Sequence, residues 1–188
     1  FPTRRSSDLK AIESAKVQGF EKEALVEEYA TGQEYSVECI SCQGEHHFLA
    51  MTKKFTTGAP GFVETGHLEP APVSGQILEQ VKKVVFHALD TLEICNSASH
   101  TELKISLSGK IALIEIGGRM GGDCIGSSLV ELSTGIDFVR AVIEIALGKK
   151  PDLRKRHKGN AAAVRFVFDQ KDIDALNDLK RKDRKSVV

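Results

Sequence analysis

Two glutamates, Glu102 and Glu115, stand in "HTELKISLSGKIALIEIGGRMGGD" (residues 100–123) with a serine–glycine pair midway between them. Ser108-Gly109 reads as a two-residue hairpin turn, and Glu102 stands as far before it as Glu115 stands after it. Paired strands would set the two carboxylates directly opposite each other on one face. Like charges so placed destabilise a strand pair, so a shared proton or a cation must offset them. Two hard oxygen ligands with further positions open suit Mg²⁺ held jointly by protein and phosphate. Two exposed acids on an open face, where repulsion is weak, form the plainer alternative. The opposite face, with Leu103, Ile105, Leu107, Ala112, Ile114 and Ile116, reads as core. After the second strand come four glycines in six residues, interrupted by Arg119 and Met120. Glycine lets the backbone approach a ligand closely, and a guanidinium fork suits phosphate or carboxylate.

These residues need a sheet to hold them. Lys10–Gly19 reads as the end of a helix stopped by glycine, and Ala24–Ala30 as a short strand. Glu34–Cys42 alternates as a half-buried strand, and "GEHH" turns the chain into a further strand, Phe48–Phe55. "TTGAPGFVETGHLEPAP" is broken by glycine and proline throughout and reads as loop. Ile77–Leu92 repeats its apolar residues at helical spacing. Strands Thr101–Leu107 and Lys110–Ile116 follow, then short helices over Ser127–Leu132 and Asp137–Leu147, a basic linker, a strand over Ala161–Phe168 and a helix over Lys171–Leu179. The pattern is α+β with a mostly antiparallel sheet.

A chain of 188 residues, 41% of them hydrophobic, can bury a sizeable core. Its formal net charge is zero, so no whole-chain field favours nucleic acid or an anionic membrane as partner. The most apolar windows, such as Phe138–Leu147, are short and carry charges, and no signal peptide is visible. Four cysteines do not suggest a disulfide scaffold, and a cytoplasmic location is expected. Both ends, "FPTRRSSDL" (Phe1–Leu9) and "DRKSVV" (Asp183–Val188), resemble translated sequencing-adapter DNA and are expected to stand outside the fold. The segment from Lys10 to Lys182 is then an internal piece of a longer protein.

"LVEEYATGQEYSVE", "TKKFTTGAPGFVETGH" and the segment from His100 to Asp123 together resemble the ATP-grasp superfamily, with the nearest likeness to its carboxylate–amine ligases that act on amino acids. The resemblance covers roughly Ala24 to Gly148. It implies an ATP-grasp fold in which residues 10–56 complete the small subdomain, residues 57–148 form the main subdomain with the metal site, and residues 149–182 are a linker and the start of a C-terminal region. It implies that Glu27 and the Ala30 backbone meet adenine, that Glu34 meets the ribose hydroxyls, and that Ile114 lies against the nucleotide. Lys54 matches a phosphate-binding lysine, while its neighbour Lys53 would point to the opposite face. Glu102 and Glu115 match the Mg²⁺ (or Mn²⁺) ligands. Arg119 matches an arginine facing the transferring phosphoryl group or a substrate carboxylate, and Glu64 and His67 match the substrate side. Gly117 stands where many members carry an asparagine ligand, which puts a second ion in doubt. The phosphate-covering glycine-rich hairpin should lie upstream of Lys10.

The implied activity is ATP-dependent: a carboxylate is converted to an acylphosphate and joined to an amine, that of an amino acid. A homodimer is compatible with it. The alternatives are a carboxylase-like or purine-pathway member, or a nucleotide-binding module without turnover.

Other signals are weaker. Cys39 and Cys42 are spaced to face opposite sides of a strand, which prevents a shared metal. His46 and His47 read as solvated turn residues, Cys124 as a thiol after the glycine loop, and the basic run Lys149–Lys158 as a solvated linker.

Overall fold

The computed structural model describes residues 2–59 and 61–182, with side chains from residue 8 onward. The adapter-like stretch 183–188 lies outside the described residues. The chain divides into two compact units, Phe1–Ala30 and Thr31–Val188.

In the first unit α1 spans Pro2–Gln18, so the backbone of residues 2–9 is helical. The helix stops at Gly19, whose N–H donates to the Ala15 carbonyl at 2.8 Å. The expected strand Ala24–Ala30 does not form: residues 23–31 are coil with mostly exposed side chains. Its β-branched and aromatic content was the signal, but no sheet edge accepts it among the described residues.

The second unit is built on one antiparallel sheet of six strands, in the order β5-β4-β1-β2-β3-β6. The strands are β1 (Gln33–Cys42), β2 (Glu45–Thr56), β3 (Glu64–Glu69), β4 (Ser97–Ile105), β5 (Ile111–Gly117) and β6 (Ala162–Arg165). Strand β3 lies inside the stretch read as loop. Its alternation is hidden because four of its six residues, Glu64, Thr65, His67 and Glu69, are polar, and burial comes from the neighbouring strands. The boundary expected between residues 56 and 57 falls beside β2, which pairs with both β1 and β3 in the same sheet. The basic run is likewise more than a linker. Arg156 N–H donates to the Gly135 carbonyl, its guanidinium meets Asp137 at 2.6 Å, and the chain then enters the sheet as β6.

Helix α2 (Gly75–Thr91) begins at Ser74, whose hydroxyl caps the Ile77 N–H. Val81, Val85 and Leu89 recur every fourth residue and are buried against Tyr35, Val37, Cys39, Met51 and Leu103. That is one face of the sheet, read off the odd residues of β1 and β4. Even residues face the other side. There Ile40, Ala50 and Ala98 meet α3 (Val130–Thr134) and α4 (Phe138–Ala146) through Val130, Phe138, Ala141 and Ile145. A π-helical turn, Ile125–Leu129, leads into α3 where a simple short helix was expected. The same face then turns polar along each strand: Glu38, Ser36 and Glu34 on β1, Thr52 and Lys54 on β2, His100 and Glu102 on β4. Alternation thus lays an apolar half under helices beside a polar, charged half.

Two readings of this region change. The β1–β2 turn is Gln43-Gly44, both at positive φ, so β2 starts early and takes in His46. His46 is not solvated: Nδ1 lies 2.7 Å from the Ser41 hydroxyl and Nε2 3.1 Å from Asp90, tying the hairpin to the end of α2. Cys39 does sit in the α2 core while Cys42 packs on the α4 side, so the two thiols cannot share an ion. Burial pushes the Cys39 thiol up to about 12, which makes it inert as a nucleophile. No helix among the described residues is long and apolar enough to cross a membrane.

Candidate active site

Glu102 and Glu115 are direct cross-strand partners. The turn between them is longer than expected. Strands β4 and β5 separate after Ile105 and rejoin at Ile111, with Ser106 accepting from Gly109 and Gly109 at φ +82. Near the turn the pairs are Leu103–Leu113 and Ile105–Ile111; the register then shifts, and Glu102–Glu115 and Thr101–Ile116 follow. The extra residue is Ile114. A bulge there reverses which residues of β5 face the core, so Ile111 and Ile116 both pack toward α2. Ile114, expected in the core, is 47% exposed, and Leu107 is fully exposed in the turn. Ile114 is therefore free to meet a ligand rather than to fill the interior.

The Glu102–Glu115 pair continues a row across the sheet through Ser36 and Thr52. Lys54, only 3% exposed, stands next to it and is the hub of the charged half-face. Its ammonium donates to Glu102 Oε1 at 2.6 Å, meets Glu64 Oε1 at 2.6 Å, and lies 3.8 Å from Glu34 Oε1. Burial works to lower its pKa, but the bonds to Glu102 and Glu64 outweigh it and hold the ammonium charged. Lys53 takes the opposite face, as its position requires, with its ammonium 4.9 Å from the Phe55 ring centre.

Two acids and a histidine that sequence reasoning passed over complete the cluster. Glu38 is fully buried; one oxygen bonds His100 Nδ1 and the other accepts the Gly121 N–H at 2.9 Å. His100 Nε2 in turn lies 3.3 Å from Glu102 Oε1. The glycine loop is thus tied through Glu38 and His100 to the carboxylate of β4. Burial pulls against a charged His100, yet hydrogen bonds to Glu102 and Glu38 raise it to about 9. The His100 bond, more than the opposing burial or the Lys54 contact, lowers Glu102 to about 2. Glu69, also fully buried, accepts from Thr52 and Ser133 at 2.6 and 2.5 Å. Burial raises its pKa despite those bonds. The available signal for Glu38 was the alternation of polar Glu34, Ser36 and Glu38 with apolar Tyr35, Val37 and Cys39.

His67 is buried on β3, with Nε2 3.3 Å from Glu64 Oε2 and 3.9 Å from Asp123 Oδ2. Burial lowers its pKa most; Glu64 opposes that shift. Arg119 extends from the glycine loop and donates to the Met120 carbonyl at 2.9 Å. A side chain at Gly117 would meet the Arg119 side chain at 3.4 Å, so glycine there leaves the arginine its place. Glu115 is exposed and has no ion-pair partner among the described residues. Glu34, Lys54, Glu64, His67, Glu102 and Glu115 are thereby brought to one face of one sheet. Glu27, exposed, and Ala30 belong to the coil of the other unit.

A sheet with one charged half-face, ended by a glycine loop bearing an arginine, has the parts of a site for a phosphate-bearing ligand. The family model for the ATP-grasp domain matches residues 5–127, and the chain belongs to that family. Among curated relatives, human carnosine synthase 1 is 27% identical over 81% of this chain and 18% of its own length. The alanine–anticapsin ligase of Bacillus subtilis is 28% identical over 78% of this chain and 33% of its own. Among solved structures, an L-amino acid ligase from Bacillus licheniformis superposes with a TM-score of 0.67 at 29% identity, over 76% of this chain and 37% of that one. A biotin carboxylase from Campylobacter jejuni has a TM-score of 0.70 at 15% identity, over 84% and 35%, a likeness of fold alone. The chain spans a third or less of the length of these curated relatives.

Proposed function

We propose that the chain is part of an ATP-dependent carboxylate–amine ligase that joins an amino acid through an acylphosphate. A carboxylate oxygen of the acid attacks the γ-phosphorus of ATP and the bond to the β-phosphate oxygen breaks, giving acylphosphate and ADP. The amine nitrogen then attacks the acyl carbon, phosphate leaves, and the nitrogen gives up a proton as the amide forms. The names of the relatives support this reading: those at 27–29% identity include a carnosine synthase, an alanine–anticapsin ligase and an L-amino acid ligase.

The paired carboxylates fit Mg²⁺ or Mn²⁺: they are hard oxygen donors, adjacent, and Glu115 has no ion-pair cation among the described residues. Glu102 and Glu115 would hold the ion, which when bound would neutralise phosphate oxygens. Glu102 is kept ionised and aimed by Lys54 and His100. Lys54 would bind phosphate beside Glu102, and Arg119, on a loop anchored to Glu38, would present its fork to the transferring phosphoryl group or the substrate carboxylate. Ile114 and Glu34 would line the nucleotide side. Glu64 and His67 would meet the substrate. Catalysis of this kind rests on positioning and charge neutralisation and needs no side-chain nucleophile.

The observation that carries the proposal is the direct pairing of Glu102 with Glu115 at the root of the glycine loop, with Lys54 bonded to Glu102. The test is hydroxylamine trapping with the complete protein, ATP, Mg²⁺ and single amino acids. Hydroxamate formed with ADP, and dependent on the amino acid, supports an acylphosphate. ADP release that yields no hydroxamate and no amide with any acid tried contradicts it.

A further inference from the structure

Lys54 bridges two groups of acids. On one side is Glu102 with Glu115; on the other Glu64 turns its second oxygen to His67. Glu64, His67 and Asp123 each offer an atom, and these atoms lie within 4.8 Å of one another. The His67 side chain is fully buried, and neither of its ring nitrogens has a hydrogen-bond partner among the described residues. A buried polar group left in that state is costly unless something else engages it. Nε2 is aimed between the two carboxylates, at 3.3 and 3.9 Å. Ligands about 2.1 Å from a tetrahedral ion lie about 3.4 Å apart, so Glu64 and His67 already have that spacing. The Asp123 side chain is 55% exposed and free to swing in by the remainder. Charge favours a cation as well: Glu64 has only the Lys54 ammonium among the described residues, and shares it with Glu102 and Glu34, which also meet His100 and Lys104, while Asp123 stands close by.

We infer that Glu64, His67 and Asp123 form a second cation site, separate from the Glu102–Glu115 pair, for a divalent ion of the zinc or cobalt class. The imidazole decides the class. Mg²⁺ takes oxygen ligands, whereas a nitrogen with two carboxylates and an open position suits Zn²⁺ or Co²⁺. An ion seated here would contend with the substrate contacts proposed for Glu64 and His67.

The test needs neither ATP nor turnover, so its outcome is independent of the ligase reading. The chain is titrated with Zn²⁺ by calorimetry and with Co²⁺ by visible absorption, beside Asp123→Asn, His67→Gln, Glu115→Gln and Cys124→Ala. One tightly bound ion per chain is expected, the two carboxylates of the Glu102–Glu115 pair holding Zn²⁺ or Co²⁺ only weakly without phosphate. Affinity should fall at least about tenfold in Asp123→Asn and His67→Gln, since even supporting groups around a metal change affinity by about 10–100-fold. Glu115→Gln and Cys124→Ala should bind as the parent does. If His67→Gln does not fold, the exposed Asp123→Asn decides. The inference is overturned by the absence of a stoichiometric site, by binding that survives Asp123→Asn, or by binding that is lost in Glu115→Gln or Cys124→Ala.

Discussion

Glu115 faces Glu102 directly across β4 and β5 because Ile114 bulges out of the ladder beside it. The bulge absorbs the residue by which the true turn exceeds a two-residue one. Without it, the register near the turn would carry through and set Glu102 against Ile114. A bulge next to a candidate site re-aims side chains, and here it turns one carboxylate toward another.

The loop after β5 should tolerate very different substitutions at neighbouring glycines. A Cβ on Gly121 would come within 2.7 Å of both Glu38 Oε1 and His100 Nδ1, which are buried and bonded to each other. Gly121→Ala is expected to cost about 1–3 kcal/mol, the usual range for overpacking. At Gly122 nothing lies within 4 Å, so Gly122→Ala should stay within about 0.5 kcal/mol of the parent. Denaturant midpoints compare the two; equal effects would contradict the tie between Glu38 and the loop.

Stability should depend on pH through His100 and Glu102. His100 is raised from 6.5 to about 9, so its contribution is complete below 6.5 and fades as pH rises through 9. Glu102 is lowered from 4.5 to about 2, so its contribution is present above 4.5 and lost as pH falls through 2. The chain without ligands should be most stable between 4.5 and 6.5, as far as this pair decides it. The urea midpoint measured from pH 4.5 to pH 9 should fall over its upper half, and fall less in His100→Asn. A rise over that half would contradict the charged pair.

Leu103 and Leu107 separate core from turn on one strand and its exit. Leu103 is fully buried against α2, and Leu103→Ala should cost about 2–5 kcal/mol. Leu107 projects into solvent from the turn, and Leu107→Ser should be neutral within about 0.5 kcal/mol. Thermal unfolding of both variants checks the difference.

Much of this was legible in the chain. Period-two alternation marked β1, helical spacing marked α2, and the symmetry of Glu102 and Glu115 about Ser108-Gly109 gave their pairing. That pairing came out correct although the turn beneath it was wrong, since the longer loop and the bulge offset each other. A bulge has no sequence mark beyond an extra residue, and the same blindness placed Ile114 and Leu107 in the core. Strand β3 was missed because Gly66 sits within it and its cover comes from β2 and β6, which are distant in sequence. Lys54, Glu64 and His67 were legible through family likeness. Glu38, His100 and Asp123 were not, because what matters about them is which groups the sheet register and the glycine loop set beside them.

Glu115 offers the sharpest test of the proposed ligase. Glu102 is bonded to Lys54 and His100, so replacing it would disturb structure and chemistry together. Glu115 is exposed and has no such ties, and glutamine keeps its shape. The decisive measurement is kcat for ADP release by the complete protein and its Glu115→Gln variant, with ATP, Mg²⁺ and the acid and amine that support turnover. Loss of one ligand charge should lower kcat by about 10²-fold or more, the scale seen when one preorganised electrostatic group is removed, with the melting temperature unchanged. Equal turnover in the two proteins would contradict the assignment of the carboxylate pair as the metal site of the reaction.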